Sequence, residues 1–175
     1  MRKQQGAALV ISLLILIIIT IVGVSAMQST VVEEKMAINA NERNRAFQAA
    51  ETALRHAEEN FIMGLLNTSN FTTGANGLYG QNNNEPNPFS TTWTNSNSQV
   101  YPNSIADVNT QPRFMVRIMD TIAGSDVSNM LNIRGYRRQN IASAITTVFR
   151  VTARGTGSTD QSQVIVRSHY GRTGL

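Results

Sequence analysis

Between Lys3 and Glu33 the chain carries no charged side chain, and from Ala7 to Met27 it reads AALVISLLILIIITIVGVSAM. At about 1.5 Å per helical residue, such a run matches the roughly 30 Å hydrocarbon thickness of a bilayer. Arg2 and Lys3 precede it and Glu33 and Glu34 follow it. The positive-inside tendency then keeps the N-terminus in the cytoplasm and carries the rest outward. A secretory signal peptide has a similar start, and Val24-Ser25-Ala26 would serve as its cleavage site. Against that reading, the apolar run exceeds the usual signal core of about 7 to 15 residues, and a helical pattern continues past Ala26.

Residues 28–66 contain no proline and only Gly64 near their end. Phe47, Ala50, Leu54, Ala57, Phe61 and Leu65 recur at three- and four-residue spacing, the stripe of an amphipathic helix. Glu42 with Arg45, Glu51 with Arg55 and Arg55 with Glu59 stand at helical spacing for ion pairs. If the two segments are continuous, residues 7–66 form one helix on the order of 90 Å long. Its first half (7–27) is apolar all round and its second half (28–66) on one side only.

Residues 67–112 are rich in asparagine, threonine, serine and glycine, and Pro86, Pro88 and Pro102 exclude regular helix. Phe71, Tyr79, Phe89, Trp93 and Tyr101 are spaced through this segment. Aromatics so placed pin a loop to a core or form a contact surface, which predicts an ordered loop rather than a linker. In residues 113–175 the period switches to two. Phe114, Val116 and Ile118 alternate with Met115, Arg117 and Met119. Thr147, Phe149, Val151 and Ala153 alternate with Val148, Arg150, Thr152 and Arg154, and Val164, Val166, Ser168 and Tyr170 with Ile165, Arg167 and His169. The last two runs flank GTGSTDQSQ, whose glycines read as turn residues of an antiparallel hairpin. Between the first two, Met130, Leu131 and Ile133 suggest a short helix or turn, and GYRRQN a loop. The predicted fold class is α+β, a long N-terminal helix packed on an antiparallel sheet of three to four strands.

Cysteine is absent, which excludes disulfides, thiolate metal sites and a cysteine nucleophile. His56 and His169 have no carboxylate or histidine at ligand spacing, so neither a metal nor a cofactor is expected. No nucleophile elbow or phosphate loop gives an enzyme or a small-molecule substrate anything to rest on. The net charge is +4. Nine arginines lie from Arg113 onward against Asp120, Asp126 and Asp160, so Arg150, Arg154 and Arg167 read either as a solvated sheet face or as contacts to a surface or to DNA. Trp93 is a second candidate contact.

A short basic leader ending in Gly6, then GAALVISLLILIII, VSAMQSTVVEEKMAINANERNRAFQAAETALRHAE and the late FRVTARGTG and VIVRSHYGR resemble the type IV pilins, and more narrowly the PilX-type minor pilins. The resemblance covers residues 1–61 closely and the last strands loosely, with none in the loop. It implies a type IV pilin fold and removal of the leader, residues 1–6, by a prepilin peptidase between Gly6 and Ala7. N-methylation of Ala7 follows from it as well, although phenylalanine or methionine is usual there. The implied partners are other minor pilins, the major pilin, the peptidase, the inner-membrane assembly platform and, before assembly, membrane lipid. The implied location is the bacterial inner membrane with the C-terminal domain in the periplasm, and then the extracellular pilus.

Most pilins carry glutamate at the fifth position of the mature chain, where it neutralises the N-terminal amine of the subunit above. Here that position is Ile11. The resemblance with this departure implies a subunit at or near the pilus tip that primes assembly. Many pilin helices kink at a proline that would fall near Gln28, and only Gly23 is available to weaken this one. A type II secretion pseudopilin that caps its fibre also lacks the glutamate, but it has a large inserted domain for which this chain has no room.

Overall fold

A computed structural model describes residues 5–62, 68–71, 74–122 and 145–173. The chain divides into two compact units, Met1–Asn41 and Glu42–Leu175. One helix, α1 (Gln5–His56, 52 residues), has its first part in the former unit and its last in the latter. It runs through Gly23 and Gln28 as unbroken α-helix. At its end the chain widens into a π-helical stretch, Ala57–Ile62. The periodicity in the sequence does not announce that change, because a π turn still places residues three to five apart on one side.

Among the described residues the sheet has five strands: β1 (Leu78–Tyr79), β2 (Gln99–Val100), β3 (Arg113–Ile122), β4 (Thr146–Thr156) and β5 (Gln163–Thr173). The three long strands, β3, β4 and β5, pair antiparallel in that order, as the period-two runs predict. A bulge between Ile118 and Asp120 leaves Met119 without a partner on β4. Two short strands from the loop region extend the sheet beyond the prediction. β1 pairs with β3 in parallel and β2 pairs with it antiparallel, so the sheet is mixed. Met130, Leu131, Ile133 and GYRRQN lie outside the described residues, as do Leu65 and the side chain of Phe61.

The core lies between the last turns of α1 and one face of the sheet. Ala53, Leu54 and Ala57 meet Phe114, Val116, Ile118, Phe149, Val151 and Ala153, with Phe71 and Leu78 closing the end. Burial of each large side chain contributes roughly 1.5 to 3 kcal/mol. Of the expected stripe, Ala50, Leu54 and Ala57 are buried as anticipated, and Phe47 is the member that is not. Ala46, Ala49, Ala50, Ala53, Leu54 and Ala57 are buried, whereas Phe47 is 46% exposed. Small side chains win this face because β4 approaches very closely. A β-carbon on Gly155 would overlap the Ala46 carbonyl oxygen and the Ala50 amide nitrogen and would lie 3.0 Å from the Ala49 carbonyl carbon. One on Gly157 would lie 2.6 Å from a Glu42 carboxylate oxygen. The two glycines of GTG are therefore chiefly a seat for the helix rather than turn chemistry.

The loop region is ordered on the sheet. Its Tyr79 and Trp93 bury Met115 on the face of β3 opposite the helix, giving a second, smaller core. Strand β3 is thus covered on both sides, which is why Phe114, Met115 and Val116 are all buried in a run that alternates in sequence.

Candidate functional site

The first unit exposes a long surface of aliphatic side chains. Leu9, Val10, Ile11, Leu13, Leu14 and their successors to Val24 are all exposed. It is the one helix among the described residues long and apolar enough to cross a membrane. Its hydroxyls are hydrogen-bonded along the helix itself: Ser12 Oγ donates to the Leu9 carbonyl at 2.9 Å, Thr20 Oγ1 to Ile17 at 2.8 Å and Ser25 Oγ to Ile21 at 2.9 Å. No hydroxyl is therefore left to pay a desolvation cost in hydrocarbon or against another apolar helix. Gly6, Ala7 and Ile11 all stand on this helix and are exposed, and a β-carbon on Gly6 would meet nothing within 4 Å.

In the second unit the face of the sheet away from α1 carries rows of cationic side chains. Register places Arg113 opposite Arg154, Arg117 opposite Arg150, Arg150 opposite His169 and Thr152 opposite Arg167. Directly opposed like charges are unfavourable unless something intervenes. What intervenes is the loop. Glu85, the one carboxylate between Glu59 and Asp107, receives Arg150 through Nη2 and, at 3.1 Å, Nε, and accepts from Thr152 Oγ1 at 3.1 Å. The pair is largely dry, with side-chain exposures of 17% for Arg150 and 2% for Glu85.

Arg113 donates to Ser98 Oγ at 3.0 Å and Asn95 Oδ1 at 2.6 Å, and Arg117 donates to the Gln81 carbonyl at 3.2 Å. Burial, and after it the Arg154 guanidinium, lower the pKa of Arg113. Arg154 bonds Gln163 at 3.1 Å and Arg167 bonds Thr152 at 3.3 Å. Of the residues singled out as surface or DNA contacts, Arg150 is thus committed to Glu85. Trp93 is buried with its indole N–H on the Pro88 carbonyl at 3.2 Å, so it fastens the loop instead of facing a partner. Arg154 and Arg167 remain toward the surface near β5. The sequence held one clue to Glu85: a lone acid in an uncharged loop, ahead of a region dominated by arginine.

A second lock joins the start of the packed helix to the β4–β5 turn. The Glu42 carboxylate accepts the Ser158 backbone N–H at 2.6 Å and its hydroxyl at 2.8 Å. Those bonds, side chain first, hold Glu42 below the ordinary carboxylate pKa. Asp160, in the same turn, is lowered by the Thr110 hydroxyl, which donates to it at 2.6 Å, and next by Asn109. Glu42 is therefore engaged across the fold, and of the anticipated helix pairs Glu51 with Arg55 is formed at 3.9 Å. His56 stacks edge-on against Tyr101, with ring centroids 5.2 Å apart. Among the described residues no group of three or more histidines and carboxylates could hold a metal ion.

A long apolar helix whose later turns pack on a largely antiparallel sheet defines a pilin-like α+β subunit. Two family models match the chain: PilX N-terminal over residues 5–55, and type IV pilus assembly protein PilX C-term over residues 70–172. The chain belongs to the PilX family of type IV pilus assembly proteins. The second match takes in most of the polar loop, where the sequence by itself suggested no kinship. No curated protein and no solved structure matches the chain.

Proposed function

We propose that this protein is a minor pilin that helps to prime type IV pilus assembly and stands at or near the pilus tip with other minor pilins. The observation that carries this reading is Ile11, an aliphatic side chain on an apolar helix with no carboxylate before Glu33. In a fibre of pilin helices, a carboxylate near the helix start costs several kcal/mol in the apolar phase unless an amine from the subunit above pairs with it. A subunit that has no neighbour above gains nothing from that carboxylate.

Before assembly the helix anchors the protein in the inner membrane, N-terminus inside, with the sheet domain in the periplasm. A prepilin peptidase cuts between Gly6 and Ala7, and the new Ala7 amine is methylated. Loss of Arg2 and Lys3 removes the charges that hold the N-terminus at the cytoplasmic face, and the helix can then leave lipid and pack against the major pilin.

The test is position and consequence together. Epitope-labelled protein on sheared pili is expected at fibre ends, and deletion of the gene is expected to reduce surface pili. Label spread evenly along fibres, or normal piliation with lost attachment, rejects priming at the tip. Mass analysis of the mature chain is expected to find Ala7 first. Met27 first would identify an ordinary signal peptide.

A further inference from the structure

Strand β5 lies at the end of the sheet order, and among the described residues it pairs on one side only, with β4. Which of its backbone groups point outward follows from the ladder. The Gly157 N–H donates to the Ser162 carbonyl at 2.8 Å, and the register continues without a shift from Thr156 opposite Gln163 to Thr146 opposite Thr173. Hydrogen-bonded pairs alternate in an antiparallel ladder, so Val164, Val166, Ser168 and Tyr170 turn their backbone groups to β4. Ile165, Arg167, His169 and Gly171 turn theirs away from the sheet. The other side of the sheet agrees. The Tyr101 N–H donates to the Pro112 carbonyl at 2.9 Å, which turns Phe114 toward β2 and Val116 toward β1 and leaves Arg113 and Arg117 to bond β4.

An outward row of amides and carbonyls is a template for another strand, and natural proteins usually shorten, bulge or cover it. β5 is 11 residues long and its pairing register has no bulge. The residues with outward backbone also carry the side chains of the sheet face away from α1, where Arg167 stands diagonal to Arg154 and two residues from His169. From Gln163 to Thr173 there is no aspartate or glutamate. Pairing of two copies of β5 about Ser168 would set Arg167 against His169 of the other copy and would bring no carboxylate to either arginine.

We infer that the outer edge of β5 is a docking site for an extended strand of another polypeptide that carries carboxylates at alternate positions on the face shared with Arg154, Arg167 and His169. Backbone bonds to Ile165, Arg167, His169 and Gly171 hold the strand, and the Arg154 and Arg167 guanidinium groups select its charge. Such pairing needs only the edge and is independent of where in a fibre the subunit stands.

The test uses the full chain in detergent micelles with two capped peptides of about ten residues, one alternating threonine with glutamate and one alternating threonine with lysine. Amide exchange is read residue by residue. In the protein alone, the amides of Ile165, Arg167, His169 and Gly171 are expected to exchange faster than those of Val164, Val166, Ser168 and Tyr170. The glutamate peptide is expected to slow the first set several-fold, less so as salt is raised, while the lysine peptide leaves them unchanged. Arg167→Pro removes one outward N–H without touching the β4 ladder and is expected to abolish that protection with the melting temperature nearly unchanged. Arg167→Ala, which keeps the N–H, is expected only to weaken it. Slow exchange of the outward set without peptide, no response to the glutamate peptide, equal response to both peptides, or protection that grows with protein concentration alone each overturns the inference.

Discussion

Gly155 of β4 faces the backbone of α1 at Ala46 with no room for a methyl group between them. The alanine face of the helix exists for this approach, since larger residues at Ala46, Ala49 or Ala50 would push the sheet away. Gly155→Ala is expected to destabilise the domain by about 1 to 3 kcal/mol through forced separation of two backbones. At the size of this chain that lowers the melting temperature by roughly 2 to 4 °C per kcal/mol. Gly171→Ala is the matched control. Its new β-carbon would lie 3.6 Å from Thr146 Cγ2, an ordinary contact, and stability is expected to stay within about 0.5 kcal/mol.

The Glu85–Arg150 pair fastens the loop to the sheet across 65 positions of sequence. Its removal should cost more than an exposed ion pair because Glu85 is almost fully buried and receives Thr152 as well. Glu85→Ala is expected to lose about 3 kcal/mol, toward the lower end for a broken buried pair since Arg150 keeps some contact with water. Glu85→Ala with Arg150→Met should recover part of that loss. Chemical denaturation of the four proteins in a double-mutant cycle measures the coupling, and a coupling near zero would show that the loop is held by its aromatics alone.

The legible parts of the fold are those written in a repeating pattern. Alternation from Arg113 and from Thr146 yields three long strands in the observed pairing, and the uncharged run to Met27 yields the apolar half of the helix. The expected helix stripe holds at Ala50, Leu54 and Ala57 and fails at Phe47, because pattern reading gives weight to large side chains. Phe47 is large but points outward, while the deciding contact is the Gly155 backbone against alanines. β1 and β2 have only two residues each and no periodicity to read, so their place beside β3 depends on long-range packing of Tyr79 and Trp93. For the same reason Glu85 is visible in sequence as an isolated charge but not as the partner of Arg150. The expectations placed on Gly6, Ala7 and Ile11 are of another kind, since they depend on position along one helix and on no tertiary contact.

Acid should loosen the helix-to-hairpin lock. Glu42 and Asp160 have ordinary pKa values of 4.5 and 3.8, and both are lowered in the folded chain by hydroxyl or amide donors. A lowered carboxylate contributes stability that is present above its unfolded value and is lost as pH falls through its folded value. The melting temperature is therefore expected to hold near neutral pH and to fall below about pH 4.5. Glu42→Gln is expected to flatten that fall while lowering the neutral plateau only slightly, because both groups are solvent-exposed. A fall of unchanged steepness in Glu42→Gln and in Asp160→Asn would assign the acid sensitivity to other carboxylates.

Restoring the missing charge tests the reason offered for a tip position. Ile11 lies on an aliphatic helix surface, so Ile11→Glu adds a carboxylate without removing a packed contact inside the described domain. In lipid the added group is protonated or drawn to the interface, at a cost that reduces but does not abolish insertion. In a fibre it acquires the amine of the next subunit as a partner, and addition beneath other subunits becomes favourable. Epitope-labelled Ile11→Glu is expected to move from fibre ends to positions along sheared pili, whereas Ile11→Gln, polar but unable to pair as an ion, stays at the ends. If both variants stay at the ends while the protein level is unchanged, the sheet domain and its contacts with other minor pilins fix the position, and Ile11 is a consequence of that position instead of its cause.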